Sequence, residues 1–370
     1  MSESRRRIDL PIIIFAFERA PYLRRFCESL KAQQGVEIDE TRIFLLQDGA
    51  VSRKSGVRYA EDAALAASVA AFREVFPRGQ VVQSPENLGI SGNIRRGERL
   101  AFEALDASMA YFFEDDLELG PVYLLMMERL REALAPFPQV AYFAAYGDHR
   151  LEPRPDRLRL VPLDHHWGFA LRRDAWRRIS EWLAPYHALI GRNDYPHRNH
   201  LGVFRWMAQF DMAIDKSSQD AVKALAAAQL GLARVMVDAC FARYIGERGA
   251  SFSTARFQAL GYDRMTPRQQ ADLPLGPVTE KQISRLLLEQ QQHFRSFRAE
   301  AFDDFLARYS ARHWDPDRLL TREDISALYR LLLDRAPEEA VYERNLGSNS
   351  VLAMRRGILA STEFRSRPFL

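Results

Sequence analysis

Three consecutive acidic residues follow an apolar segment in the first half of this 370-residue chain. The segment from Met109 to Phe113 is predicted to be a short strand with both faces buried, and Glu114, Asp115 and Asp116 come directly after it. Adjacent carboxylates at the end of a buried strand repel one another and lose hydration. The cluster therefore predicts a positive partner, and its oxygen atoms suit a hard divalent cation that also contacts a diphosphate.

The composition is that of an ordinary globular protein, with 47% hydrophobic and 27% charged residues. This length is enough for one sizeable core and a smaller unit. The net charge of +3 is too small for the basic stripe of a nucleic-acid-binding protein, so no nucleic-acid partner is predicted. Cys27 and Cys240 lack the spacing of metal ligands, which excludes a cysteine-held zinc and favours a reducing cytoplasm.

The start of the chain has a basic segment, but no sorting signal is predicted there. Arg5 to Arg7 precede an apolar run that ends at Glu18 and Arg19, which is too short for a signal-peptide core. No stretch approaches the ~20 apolar residues of a membrane span. We expect a cytoplasmic protein whose basic start and arginine-rich tail allow peripheral contact with the inner face of an anionic membrane.

The chain up to the acidic cluster alternates between predicted strands and predicted helices. The strands are predicted at residues 10–17, 42–47, 80–83 and 109–113, and the helices at residues 21–30, 60–76 and 93–105. This order is typical of a parallel sheet covered by helices, whose ligands sit beyond the carboxyl ends of the strands. Arg19, Asp48, Asn87 and the acidic cluster all fall at those ends, which predicts one shared site.

The second half of the chain is less regular. Further strands are predicted at residues 140–146, 165–171 and 234–239, helices at residues 173–183 and 220–232, and loops at residues 184–215. Prolines and glycines beyond residue 260 predict a linker, followed by helical patterns. The predicted parts are an α/β domain at 1–260, a linker and helical connector at 261–310, and a small all-α domain at 311–370.

Five segments together resemble the glycosyltransferases of the GT-A fold. They are Pro11 to Arg19, Leu46 to Gly49, Asn87 to Asn93, Phe113 to Pro121, and Trp167 to Trp176. Their order and spacing are similar to those of family-2-like enzymes and of the N-acetylglucosaminyltransferase I type. The resemblance implies a Rossmann-like mixed α/β sheet covered by helices. It also implies metal-dependent transfer of a hexosyl or N-acetylhexosaminyl group from a nucleotide-sugar donor, in particular a UDP-sugar, with Mn²⁺ or Mg²⁺.

The resemblance assigns the donor and its metal to residues at the strand ends. In the family the last acid of the acidic motif holds the metal, and here that acid is Asp116. The preceding acids, Asp115 and Glu114, would contact the sugar or the ribose of the donor. The acid after the second strand, Asp48, would face the base, and Arg19 would approach the base or the diphosphate.

The remaining assignments lie on a loop and in the second half of the chain. Asn87 and Asn93 would belong to the loop that grips the nucleotide. The catalytic base of an inverting enzyme matches Asp220, although the aromatic flank usual in the family is missing there, and Asp194 and Asp211 are rivals. The implied acceptor is a hydroxyl of a glycan, a lipid-linked glycan or a protein.

Three further predictions concern a loop, two histidines and two tryptophans near this site. The loop at residues 248–253 would either close over the diphosphate or form a surface turn. His165 and His166 would point to opposite faces of a strand, with one buried and one near the acceptor. Trp167 and Trp176 are predicted to belong to the core.

The C-terminal segment has a second resemblance. Ala327 to Pro337, followed by Ser361 to Arg365, is similar to a small helical domain attached to bacterial glycosyltransferases and surface proteins, which indicates a bacterial source. Thr321 precedes an acidic first turn and is predicted to cap a helix.

Two other functions stay open at this point. A sugar-nucleotide pyrophosphorylase would use a related sheet, but the Gly-rich basic loop of that class is missing between Phe17 and Pro21. A non-catalytic nucleotide-sugar-binding or scaffold protein would have a decayed donor site, and the intact acidic cluster argues against that alternative.

Overall fold

The computed structural model describes residues 5–152, 154–247, 253–313 and 319–367. The chain forms two compact units, Met1–Phe302 and Asp303–Leu370. The strands, in chain order, are β1 (Arg6–Ile8), β2 (Ile12–Ala16), β3 (Val36–Ile38), β4 (Ile43–Gln47), β5 (Gln80–Gln83), β6 (Met109–Glu114), β7 (Leu117–Leu119), β8 (Val140–Ala144), β9 (Leu160–Pro162), β10 (Gly168–Arg172), β11 (Ala233–Val237) and β12 (Ala242–Tyr244).

Helices make up most of the remaining ordered chain. They are α1 (Ala20–Lys31), α2 (Asp62–Val75), α3 (Gly89–Arg99), α4 (Tyr123–Leu134), α5 (Arg173–Trp182), α6 (Ala184–Ile190), α7 (His200–Met207), α8 (Gln219–Gln229), α9 (Thr254–Ala259), α10 (Glu280–Phe297), α11 (Asp303–His313), α12 (Arg322–Leu333), α13 (Glu339–Asn345), α14 (Val351–Ala360) and α15 (Thr362–Arg365). Within the described ranges, no helix is long and apolar enough to cross a bilayer.

The main sheet has the strand order β5-β4-β2-β6-β10-β8-β11-β9. Its first four strands are parallel neighbours, whereas β10 runs antiparallel to both β6 and β8. Strand β2 is buried along its whole length, and β6 is buried up to Glu114, because helices cover both faces of the sheet. The predicted fold class, a Rossmann-like mixed sheet covered by helices, is confirmed.

The two faces of β6 carry separate aromatic clusters, because successive residues of a strand point to opposite faces. The ring of Phe113 packs on Phe26 of α1, with 5.3 Å between the ring centroids. On the other face Phe112 stacks against Phe15 at 6.2 Å and against Phe169 of β10 at 5.4 Å. Burial of such rings is among the largest stabilising contributions a core can contain, and here it fixes the strand that delivers the acidic cluster.

Helix α8 is fastened to this core by a buried ion pair between Lys223 and Glu98 of α3. The prediction of loops at residues 184–215 is wrong, because α6, a 3₁₀ turn at Tyr195–His197 and α7 lie there. These helices are short, and they are held by tertiary packing such as that of Trp206 on Trp182, whose ring centroids are 4.7 Å apart.

The first unit extends beyond the boundary predicted at residue 260. The predicted linker is hydrogen-bonded to the unit, since the amide of Leu158 donates to the carbonyl of Pro274 at 2.9 Å. Helix α10 lies on β11, where the Gln290 side chain donates to the carbonyl of Arg234 at 3.1 Å and accepts from its amide at 3.3 Å. The compact units therefore divide after Phe302, where sequence texture alone gives no signal.

The second unit is helical and has its own small core. The buried residues of this core are Leu320, Ile325, Leu333, Met354 and Ile358. Thr321 caps α12 as predicted, because its side chain accepts from the amide of Asp324 while the Asp324 carboxylate accepts from the amide of Thr321.

Candidate functional site

The carboxyl ends of β5, β4, β2 and β6 lie along one edge of the sheet, because these neighbouring strands are parallel. Backbone hydrogen bonds continue across that edge after the strands end. The amide of Asp48 donates to the carbonyl of Ala16 at 3.2 Å, and the Gln47 side chain donates to the carbonyl of Phe17 at 2.9 Å. The structure thus brings together the predicted residues that follow these four strands.

Asp48 organises the turn after β5. Its carboxylate accepts hydrogen bonds from the amides of Leu88 at 2.9 Å, Gly89 at 3.0 Å and Gly49 at 3.0 Å. Burial raises the pKa of Asp48 to about 6, although these amide donors oppose the shift. Both carboxylate oxygens are engaged by the protein itself, so the predicted contact between Asp48 and the base stays a prediction.

An open groove of about 260 Å³ lies beside this turn. It is lined by residues 47–51, by residues 83–85, and by Asp62 and Leu65 of α2. Asn87 does not line the groove, but its side chain donates to the carbonyl of Gly49, one of the lining residues, at 3.0 Å. Only glycine fits at position 49, because a Cβ there would lie 2.4 Å from the carbonyl carbon of Glu86.

Asn93 lies underneath the groove and does not line it. Its amide nitrogen donates to the carbonyl of Leu46 at 2.9 Å, and its oxygen accepts from Arg96 at 2.8 Å. Asn93 thereby fastens α3 to β4, and a direct contact with the donor stays a prediction.

The acidic cluster pairs with a cation of the chain itself. The guanidinium of Arg19 contacts the carboxylates of both Asp115 and Asp116, the latter at 2.8 Å. Burial raises the pKa of Asp115 to about 7 against the opposing effect of Arg19. Burial also disfavours the charged guanidinium, but the two carboxylates outweigh it and raise the pKa of Arg19 above its usual value. Arg19 therefore lies nearer to the acidic cluster than to the groove beside Asp48.

One oxygen of the cluster has no hydrogen bond. Asp116 Oδ1 is buried and finds no partner among the described residues, whereas Oδ2 accepts from the hydroxyl of Tyr244 at 3.3 Å. The backbone of Gly246 passes so close that a Cβ there would lie 2.6 Å from Oδ2. A buried acceptor without a donor is costly unless another group binds it.

This unpaired oxygen is the observation that bears on a metal. Across the described ranges, no group of three or more His, Cys, Asp or Glu side chains is arranged to hold an ion. Asp116 fits as a single carboxylate ligand, so a cation at this point would take its other ligands from the donor and from water. Hard divalent cations, Mg²⁺ above all, are commonly held in this way, with few protein ligands and a phosphate.

Glu114 faces the beginning of α8. A narrow cavity of about 10 Å³ is lined by Glu114, His166, Gln219 and Lys223 together with apolar side chains. Burial raises the pKa of Glu114 well above its usual range, and the negative charges of Asp116 and Asp220 raise it further. Asp220, the second residue of α8, therefore lies within electrostatic reach of the acidic cluster.

The three acids proposed as a base differ in their partners. Among the described residues, no hydrogen bond or ion pair engages the side chain of Asp220. Asp194 accepts hydrogen bonds from three hydroxyl groups. Asp211 pairs with Arg295 at 3.0 Å and accepts from Gln229 at the opposite end of α8. Within the described part of the chain, Asp220 is thus the one of the three acids without a side-chain partner.

A stack of aromatic side chains lies next to Asp116. Trp167 is stacked between His165 and Tyr244, with ring centroids 4.2 Å and 4.3 Å away. Both faces of Trp167 are covered, so its predicted place in the core is confirmed. His166 is buried against Tyr142, while His165 is partly exposed, as the alternation of a strand predicts. Of the loop at 248–253, residues 248–252 lie outside the described residues.

Sequence reasoning missed Tyr244, Gly246 and Tyr195. The phenol of Tyr244 reaches Asp116 from 128 positions away, and that of Tyr195 accepts from the amide of Gln219 at 2.9 Å. A single tyrosine or glycine outside a motif carries no signal in one sequence, because its role depends on contacts that only the fold creates.

The sequence matches no protein-family model and no curated protein. Solved structures that the chain is similar to are glycosyltransferases, the class that the sequence resemblance implies. For the galactosyltransferase LgtC with donor and acceptor sugar analogues, identity is 13%, coverage is 70% of this chain and 97% of LgtC, and the TM-score is 0.33.

Two further structures match at similar levels. For residues 1–349 of S. aureus TarS, identity is 11%, coverage is 83% of this chain and 91% of TarS, and the TM-score is 0.35. For mouse xyloside xylosyltransferase 1 in its apo form, identity is 15%, coverage is 52% of this chain and 78% of the xylosyltransferase, and the TM-score is 0.28. At these identities and TM-scores the likeness carries no information on what this chain binds or transfers.

The buried Asp48 carboxyl makes stability depend on pH. Its pKa is about 6 in the folded state against an ordinary value of 3.8, so the stability it contributes is full below the ordinary value. That contribution is lost as the pH rises through the folded pKa. Asp48→Asn does not titrate, so between about pH 4 and pH 7 the wild type should lose about 2 kcal/mol of unfolding free energy relative to the variant.

Urea denaturation of both proteins at the two pH values measures this difference, and other titrating groups cancel in the comparison. Parallel pH dependences for wild type and Asp48→Asn would contradict the assigned environment of Asp48.

Proposed function

We propose that the chain is a metal-dependent, inverting glycosyltransferase that moves a sugar from a nucleotide-diphosphate sugar, in particular a UDP-sugar, to an acceptor hydroxyl. The proposal rests on two carboxylates near the same sheet edge, each of which has at least one oxygen without a hydrogen-bond partner in the described part of the chain. Asp116 has a buried oxygen to which no described residue donates, and Asp220, whose charge acts on Glu114, has no side-chain partner among those residues either. In metal-dependent, inverting glycosyl transfer, one acid holds the cation that neutralises the leaving diphosphate, and another takes the proton of the acceptor hydroxyl.

The groove beside Asp48 suits the nucleoside part of the donor. Apolar side chains, among them Ala50 and Leu65, form part of its wall, and the turns at its rim offer backbone groups for the edge of a base. The guanidinium of Arg19 is partly exposed and contacts both Asp115 and Asp116 of the acidic cluster. A diphosphate bound beside the cluster would offer Arg19 a further anion, which guanidinium groups bind in bidentate fashion.

Asp116 Oδ1 would hold Mn²⁺ or Mg²⁺. When bound, such a cation neutralises the negative charge that builds up on the departing diphosphate. Glu114 would contact the donor sugar, because its raised pKa favours the neutral acid, which can donate a hydrogen bond to a sugar oxygen.

Asp220 would act as the general base on the acceptor. As the acceptor oxygen bonds to the anomeric carbon, its proton passes to the Asp220 carboxylate and the bond from that carbon to the diphosphate oxygen breaks. Attack on the face opposite the leaving group inverts the configuration. The helix start that carries Asp220 is held by Tyr195, which keeps the carboxylate near the reacting atoms.

One observation supports a second candidate, a non-catalytic nucleotide-sugar-binding protein. Arg19 already pairs with both Asp115 and Asp116, which neutralises much of the cluster without a metal. Such a protein would bind a nucleotide whether or not a divalent cation is present, and it would not use Asp220. Metal dependence of nucleotide binding therefore separates the two functions.

Metal-dependent nucleotide binding should require Asp116. We expect UDP with Mn²⁺ to raise the melting temperature of the full chain, by an amount equivalent to about 2.7 kcal/mol at a hundredfold excess over Kd. The increment from Mn²⁺ should disappear in Asp116→Asn. Glu118→Gln is the matched control, because Glu118 is a nearby carboxylate that pairs with Arg25 and Arg243 instead.

Differential scanning fluorimetry with UDP, Mn²⁺, both or neither makes the comparison, with each variant referred to its own ligand-free melting temperature. Equal stabilisation by UDP with and without Mn²⁺ would favour the binding protein. Indifference to UDP, GDP and UDP-sugars would contradict both nucleotide functions.

The base assignment makes a separate prediction. Asp220→Asn should retain UDP binding and lose transfer by a factor of about 10² to 10⁴, the usual contribution of a positioned general base. Release of UDP from the UDP-sugar that stabilises the protein most measures the turnover. Asp211→Asn is the control and should keep its rate, since Asp211 pairs with Arg295 far from the cluster. Unchanged turnover in Asp220→Asn would exclude it as the base.

A further inference from the structure

Two adjacent residues between α6 and α7, Asp194 and Tyr195, contact opposite sides of the site. The Asp194 carboxylate is buried and accepts hydrogen bonds from the hydroxyl groups of Ser52, Ser55 and Tyr59, the last at 2.8 Å. These three residues belong to the loop at 52–59, which directly continues the wall of the groove beside Asp48. The loop is thus tied to a distant part of the chain, chiefly through this carboxylate, and Lys54 adds a hydrogen bond to the carbonyl of Asn193 at 3.0 Å.

Tyr195 makes the opposite connection. Its hydroxyl accepts a hydrogen bond from the amide of Gln219, the first residue of α8, at 2.9 Å. The first amides of a helix have no carbonyl partner within the helix, so this bond fixes where α8 begins. The Tyr195 side chain also packs on Gly89, where a Cβ would lie 2.9 Å from the Cβ of Tyr195. Gly89 is one of the residues whose amides bind Asp48.

Other side chains clamp the same segment without reaching the loop at 52–59. The Tyr186 hydroxyl donates to the carbonyl of Ser217 at 3.1 Å, and His200 Nδ1 lies 2.6 Å from Ser217 Oγ. The side chains of Tyr186 and Tyr195 also interact with each other, so both tyrosines belong to one cluster at the start of α8.

We propose that Asp194 and Tyr195 are positioning residues that join the groove beside Asp48 to the start of α8. A nucleotide that fills the groove holds the loop at 52–59 and thereby fixes Asp220 opposite the acidic cluster. Asp220 has no side-chain partner of its own within the described part of the chain, so its position depends on the backbone of this helix start. This inference takes the identity of the ligand, a nucleotide, from the proposed function. The connection between the groove and the start of α8 does not depend on that function.

The connection is testable without any ligand. Tyr59→Phe removes one hydroxyl from Asp194 and leaves residues 217–222 untouched in sequence. If the connection exists, hydrogen exchange at residues 217–222 of the full chain should become about fivefold faster, the effect of losing one hydrogen bond. Arg58→Gln is the control and should leave exchange there unchanged, because among the described residues the Arg58 side chain bonds to Ala60 and Asp62 of its own segment and not to Asp194. Unchanged exchange in both Tyr59→Phe and Ser52→Ala would overturn the proposal.

A second arm tests whether the nucleotide uses the connection. In the wild type, UDP should slow exchange at residues 217–222. Tyr195→Phe should keep UDP affinity within about twofold and lose this protection, because the hydrogen bond to the amide of Gln219 is missing. Arg58→Gln is again the control and should retain the protection. UDP-induced protection that persists in Tyr195→Phe would contradict the positioning role. Failure of UDP to bind the wild type would count against the proposed function alone, and the ligand-free arm would then decide on the connection.

Discussion

Three carboxylates at the end of a strand with two buried faces are the constraint on which this structure depends. Arg19 neutralises part of their charge by pairing with Asp115 and Asp116, yet one buried oxygen of Asp116 has no donor among the residues that the structure describes. Burial and mutual repulsion favour the neutral form of Glu114. A buried acceptor without a donor is costly unless another group binds it, and the proposed cation would remove that cost.

Packing of the core fixes the position of the acidic cluster. Phe112 and Phe113 bury the two faces of β6, so the acidic cluster leaves the sheet in one fixed direction. The buried ion pair between Lys223 and Glu98 fastens α8 to α3. The parallel arrangement of the first four strands then adds the Asp48 turn and Arg19 beside the cluster. Each of these features is weak evidence alone, and their convergence at one edge is what supports a donor site.

The sequence predicted much of the first half and less of the second. Parallel strands follow from their apolar runs, and the meeting of Arg19, Asp48 and the acidic cluster follows from topology, because parallel strands end at one edge. The engagement of Asp48 and Asn93 by the protein's own backbone could not be predicted, since it depends on loop geometry. The short helices α6 and α7 and the roles of Tyr195 and Tyr244 arise from contacts between segments far apart in sequence.

A crystal of the protein grown with Mn²⁺ and UDP tests the central claim most directly, because manganese is located by its anomalous scattering. The account predicts one manganese peak bonded to Asp116 Oδ1 and to the diphosphate, with the uridine in the groove beside Asp48. Manganese absent from Asp116, or a nucleotide bound away from the carboxyl ends of β2, β4, β5 and β6, would contradict it.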